Sequence, residues 1–405
     1  MKIITGGCAL ALALSILPAQ AINQEIRALF QPDPSQPGKN LFVNQTPNSG
    51  YCVAFPGKCD DGKMFSIELP VRYSAGRALV PGDGISLKAP ADWRRLTITN
   101  QDTQESESVE VRITGIGSKY FLSNRVQELT GISNAAQAHD KLWKSETGWL
   151  YAPSPCVGSG LAGYTDTTYR FFWHTLVEAS CTKNTAFHIP GIYFDKLDFA
   201  YELKTPNPLN MSSGLYTGSI TYTMGPGRDF HMGYMMYPDD DSLTLDFVLD
   251  VQHTLKVDLP PGGNKVSLEP EGGWAPWLDS GRKPKRIFRD QPFFISASSR
   301  FKVMMLCDSQ GGPYCNLGSP LGDTTSVKVS MTLPAGIGGP GNGPVNRIPL
   351  SVNNWMGPFQ PGIYVDRKPG ALHFELEPSA IDFLLRPGKN DRLRGHITII
   401  WDSDV

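Results

Sequence analysis

The chain has 405 residues, with 37 Lys and Arg against 39 Asp and Glu, a formal net charge of −2. So even a balance gives no basic footprint for nucleic acid or an anionic membrane, and 40% hydrophobic against 19% charged residues excludes a disordered chain. Gly 41 and Pro 33 make about 18% of the residues, above the roughly 12% of average usage, which points to short elements joined by many turns and hence to an all-β chain of two domains.

Residues 1–21 are expected to be a cleaved signal peptide. Lys2 supplies the positive start, residues 8–17 (CALALALSIL) the apolar run, and Ala19-Gln20-Ala21 the small-x-small cleavage site. The run is too short to span a bilayer, and it follows Cys8, whereas a lipoprotein cysteine would come after it. Secretion puts the remaining six cysteines where disulfides persist. They fall into three sequence-local pairs, Cys52 and Cys59, Cys156 and Cys181, Cys307 and Cys315, although six cysteines allow many connectivities. Their spacings do not match a zinc site, and no metal or cofactor is expected.

Period-2 alternation predicts strands at Phe65–Leu69, Leu96–Thr99, Val109–Ile113, Tyr169–Val177, Ile220–Tyr222 and Leu243–Val251. It returns at Leu255–Leu259, Phe301–Leu306, Val327–Leu333, Leu372–Leu376 and Leu393–Trp401. Turn chemistry separates these runs, as in Pro-Gly-Asp-Gly at 81–84 and Pro-Pro-Gly-Gly at 260–263. Only Asn134–Leu142 reads as helical. Short strands at this spacing predict two β-sandwich, immunoglobulin-like domains. Thr205–Ser213 has the composition of a linker, yet Leu215–Thr223 needs partners upstream of it. The boundary is therefore placed near Asp250, giving domains at 22–250 and 251–405.

The chain lacks a Gly-x-Ser-x-Gly elbow, a phosphate-cradling loop and a His-Glu-x-x-His motif. Its seven histidines are scattered, and Asp239-Asp240-Asp241 is not followed by the spaced ligands of a calcium loop. No enzyme is expected, although the two carboxylates of a glycosidase would leave no such motif. Two positive features remain. Trp143, Trp149, Tyr151, Tyr164, Tyr169, Phe171, Phe172 and Trp173 surround the Cys156/Cys181 loop. Aromatic faces stack on sugars, and Trp149, Tyr164, Tyr169 and Asp166 are the candidates for receptor contact, with Phe171 and Trp173 expected in the core. The second feature is the strand at the C-terminal end, which puts Leu393, Ile397, Ile399 and Trp401 on one face. A sandwich lacking its last strand there would leave a groove that takes a strand from another chain.

The secretory signal, the disulfide candidates and the Gly-x-Ile-x-Ile-x-Trp strand at 395–401 resemble a bacterial fimbrial adhesin. More narrowly, Leu215–Thr223 (LYTGSITYT), His253–Gly263 (HTLKVDLPPGG), Gly272-Gly273-Trp274 and Phe293–Cys307 (FFISASSRFKVMMLC) resemble fimbrial-operon proteins of chaperone–usher systems. The resemblance implies a pilin-like domain at 251–405 behind a receptor-binding domain at 22–250. It also implies three partners: a periplasmic chaperone, an outer-membrane usher and a neighbouring pilus subunit. The protein would travel through the periplasm to the fimbrium on the cell surface. Ile22–Gln31 departs from the pilin pattern because it lacks clean alternation and runs into Pro32, Pro34 and Pro37. A subunit that accepts a strand but cannot give one belongs at the tip, which makes the expected function that of a tip adhesin. The alternatives are a structural or assembly-initiating minor pilin and a secreted lectin or glycosidase.

Overall fold

The computed structural model describes residues 22–62, 64–388 and 391–403, so the expected signal peptide lies outside the described residues. Strands dominate. The first set is β1 (Ile22–Phe30), β2 (Arg94–Asn100), β3 (Ser106–Leu122), β4 (Thr168–His174), β5 (Ile192–Lys204), β6 (Gly214–Thr223) and β7 (Ser242–Val251). They join one large sheet in the order β5-β3-β2-β6-β7-β1. β3 is long enough to pair with β2 through its first half and with β4 through its second. The sheet curls, and its inward residues form one core from Ile26 to Val251. Strict alternation in β7 places Leu243, Leu245, Phe247, Leu249 and Val251 in that core.

The second set is β8 (Leu255–Asp258), β9 (Ile287–Ala297), β10 (Phe301–Cys307), β11 (Tyr314–Gly318), β12 (Thr324–Thr332), β13 (Trp355–Pro361), β14 (Val365–Leu376) and β15 (Ile397–Ser403). One sheet runs β8-β9-β14-β12-β11 and a second runs β13-β10-β15. Their inner faces share a separate core that includes Phe293, Phe301, Val303, Val329 and Phe359. Between the two cores the chain is pinned by His253, whose Nε2 meets the Met211 carbonyl at 2.9 Å and whose Nδ1 meets Ser298 Oγ at 3.1 Å. Among the described residues no helix is long and apolar enough to cross a membrane.

Several expectations need correction. Ile22–Phe30 is a strand of this chain's own sheet, parallel to β7, with Ile26, Ala28 and Phe30 inward. Its alternation is obscured in the sequence because Gln24 holds the inward parity near the open end. β5 escapes period-2 reading because Leu197 to Tyr201 are buried consecutively, covered from both faces. The expected helix forms at Ala135–Lys141, where the Asn134 side chain caps the Gln137 N–H at 3.1 Å. Further short helices lie at Tyr51–Ala54, Pro56–Gly62, Val126–Thr130, Ala275–Ser280 and Pro378–Leu384. Each has too few residues to display a period of its own.

Candidate functional site

The aromatic cluster is built on β3 and β4. Trp143, Trp149, Phe171 and Trp173 are fully enclosed, with Trp149 stacked on Trp173 at 4.8 Å. Trp173 Nε1 donates to the Trp149 carbonyl at 2.6 Å. The Cys156–Cys181 disulfide closes the loop around this cluster, and Cys52–Cys59 and Cys307–Cys315 are also bonded. Lys183 holds the neighbouring turn: its Nζ lies 2.8–3.1 Å from Ser145 Oγ, the Thr147 carbonyl and hydroxyl, and the Gly148 carbonyl. Burial pulls that amine down to about 8.

Of the four residues expected to meet a receptor, two are interior. Trp149 is 0% exposed and Tyr169 is 5% exposed, so neither can offer a face to a ligand. The hydrophobic effect explains the correction, because the same ring area that could stack on a sugar contributes more by filling the curl of the sheet. Tyr164 is half exposed, with its ring 6.1 Å from Tyr169. Asp166 is reachable but already engaged, accepting from Gln127 Nε2 at 2.8 Å and standing 4.0 Å from Arg125 Nε. His139, one of the seven scattered histidines in the sequence, sits on the one helix expected there. Its Nδ1 meets the Tyr120 hydroxyl at 2.8 Å and its Nε2 the Thr165 carbonyl at 2.7 Å. That arrangement suits a neutral ring donating from Nε2, and burial lowers its pKa.

The terminal strand gives a different geometry. β15 pairs antiparallel with β10, from Phe301 opposite Ser403 to Cys307 opposite Ile397. Among the described residues its other edge has no strand partner. The inward residues of β10, Phe301, Val303 and Met305, are fully buried. Opposite Val303 and Met305, Trp401 and Ile399 of β15 are only partly buried against the same core, as are Ile397 and its partner Cys307. Trp401 touches Phe293 and Phe301, with ring centroids at 5.1 and 5.9 Å. Across the opening lies β8, the outer strand of the facing sheet, whose Leu255 and Val257 are also half-buried. Leu393 does not share the strand. It lies before β15, where Arg394 exchanges two backbone hydrogen bonds with Gly318 at 2.8 Å and draws the segment aside. The site is thus an edge whose outward backbone groups have no ladder partner among the described residues, above a half-covered apolar row.

The Asp triplet at 239–241 serves turns: Asp239 accepts from the Arg72 N–H and Asp240 from the Ser242 N–H.

No protein-family model matches the chain, and no curated protein matches it in sequence. Among solved structures it is similar to CfaE, the adhesive subunit of CFA/I fimbria of enterotoxigenic Escherichia coli, at 8% identity over 95% of this chain and 94% of that one, with a TM-score of 0.28. A chain of a chaperone–tip adhesin complex of CFA/I fimbriae matches at 10% identity over 95% and 97%, with a TM-score of 0.26. A chain of the CsuC–CsuE chaperone–tip adhesion subunit complex of Acinetobacter baumannii Csu pili matches at 6% over 94% and 98%, with a TM-score of 0.22.

Proposed function

We propose that this chain is a fimbrial tip adhesin: residues 22–250 bind a receptor, and residues 251–405 accept a strand, first from a periplasmic chaperone and then from a neighbouring subunit at the outer-membrane usher. The observation that carries the reading is the contrast across one ladder, where Val303 and Met305 of β10 are fully buried and Trp401 and Ile399 opposite them on β15 are not. A donated strand would pair with the free edge of β15 and cover Ile397, Ile399 and Trp401. The N-terminal segment supports a tip position. β1 pairs with β7 over nine residues and is therefore engaged in its own sheet rather than free to be donated. In this reading the protein reaches the cell surface through the periplasm and works without a catalytic centre or cofactor.

The test is capture. Ile397→Asp and Ile399→Asp each place a charge under the donated strand and should abolish co-purification with the cognate chaperone, whereas Thr398→Asp, on the outward face of β15, should not. Retained capture by both inward variants overturns the groove assignment.

A further inference from the structure

The outer face of the first sheet is only partly roofed. The segment Tyr51–Gly62, closed by Cys52–Cys59, lies over Phe172, with Tyr51 5.2 Å from that ring. Gly117 permits this contact, since a Cβ there would come within 2.6 Å of both the Phe171 carbonyl and the Phe172 ring. At the rim of the roof, Arg170 pairs with Glu68 at 3.0 Å and Asp198 at 2.7 Å, and Lys196 pairs with Glu68 at 2.6 Å. Beyond this rim the sheet faces solvent.

Register places one row of side chains across that open face. Tyr237 stands opposite Ser74, Ser74 opposite Tyr193, and Tyr193 opposite Phe121. Directly paired residues share a face, and the parity of β5 and β3 turns this row outward, because Ile192, Phe194, Tyr120 and Leu122 are buried. Tyr193 and Phe121 are stacked parallel at 4.9 Å. The Arg72 guanidinium lies 3.7 Å above the Tyr193 ring and the Lys119 ammonium 5.0 Å from the Phe121 ring. Tyr237 is more than half exposed, and its ring rests where a Cβ of Gly76 would be, 2.8 Å away. Among the described residues neither Arg72 nor Lys119 has an ion pair, and the nearby Asp239 is engaged with the Arg72 backbone N–H at 2.9 Å.

We propose that this row is a binding site for an acidic saccharide. The C–H face of a sugar ring packs on the exposed Tyr237 ring and against the edges of the Tyr193–Phe121 stack, and the carboxylate or sulfate of the ligand is received by Arg72, which covers the remaining face of Tyr193, and by Lys119. Three inter-strand steps make the row about 14 Å long, which suits an oligosaccharide rather than a single ring. The cations and rings are already in contact, so little ordering is needed on binding. This inference rests on reading residues 22–250 as the receptor-binding half, and it places the receptor on the sheet face opposite to the Tyr164 side of the β4 ladder.

The experiment measures binding of the full chain, with its chaperone if capture proves necessary for recovery, to immobilised 3′-sialyllactose, a heparin-derived oligosaccharide and lactose. At least one acidic probe should bind about tenfold more tightly than lactose. The doubly substituted Arg72→Ala, Lys119→Ala chain should lose about tenfold of that affinity without a change in unfolding temperature, and Tyr193→Ala should lose affinity for the same probe. Retention of the sialylated probe alone identifies a sialic-acid ligand, and of the heparin probe alone a sulfated uronic-acid ligand. Equal binding of lactose, or acidic-probe binding unchanged in the double variant, overturns the site. Chaperone capture is read at β15, which belongs to a separate sheet, so a failure here with capture intact leaves the assembly reading standing.

Discussion

The two halves of the chain treat their inward-facing apolar residues differently. In the first, β7 is flanked by β6 and β1, and its inward residues from Leu243 to Val251 are fully buried. In the second, β15 has one neighbour, and Ile397, Ile399 and Trp401 remain partly uncovered. The side chains are of the same kind, so the difference lies in strand neighbours and not in composition. A strand inside a sheet gains cover for its side chains together with partners for its backbone, whereas an edge strand lacks both on one side. In the first half β7 thus has a strand on either side, whereas in the second β15 ends its sheet with no strand partner on one side among the described residues.

Substitutions on either side test that contrast. The largest loss is expected from Trp149→Ala, which empties the aromatic core of the first half and should cost about 3–5 kcal/mol of its stability by thermal or denaturant unfolding. Replacing Cys156 and Cys181 by Ser removes a link between residues 25 apart and should cost about 3 kcal/mol in the same half. In the second half, Ile399→Ala should cost only about 1–2 kcal/mol in the chain alone, because that side chain is half-covered, and more once a strand is bound over it. If Ile399→Ala proves as damaging alone as Trp149→Ala, β15 is not an open edge.

The smallest effect concerns pH. His139 is buried with its pKa held below the ordinary 6.5. Above that value the ring is neutral in both folded and unfolded chains. As pH falls through 6.5 the unfolded chain binds the proton first, so the first half loses stability, by at most about 1.4 kcal/mol per unit for one group. His139→Gln should flatten part of that slope in unfolding measured between pH 7 and 5. His174 and His231, also lowered by burial, keep the remainder.

Much of this architecture is legible in the sequence where one face of a strand is buried and the other is wet. The alternation of β7 and β12 reads directly, as does the helix behind Asn134. β5 does not read, because the core covers one face and the Cys52–Cys59 segment the other. The site was harder to read for a related reason. A tryptophan or tyrosine in a cluster gives the same letter whether it fills a core or lines a surface, and only the curl of the sheet puts Trp149 and Tyr169 inside while leaving Tyr164 out. The row of Tyr237, Tyr193 and Phe121 has no signature along the chain, since register alone unites three distant segments. At β15 the inward triplet Ile397, Ile399 and Trp401 reads correctly, and Leu393 does not, because its departure depends on the bridge between Arg394 and Gly318.

If residues 251–405 accept a strand, the second half lacks one strand of cover until it is bound. The most direct test is the periplasmic yield and thermal unfolding of the full chain, expressed with and without a fimbrial chaperone. The chain should be degraded or aggregate alone and be recovered as a one-to-one complex whose second half unfolds at a higher temperature. A soluble, monomeric chain that is stable without the chaperone, and gains nothing from it, would contradict the open edge and the strand exchange built upon it.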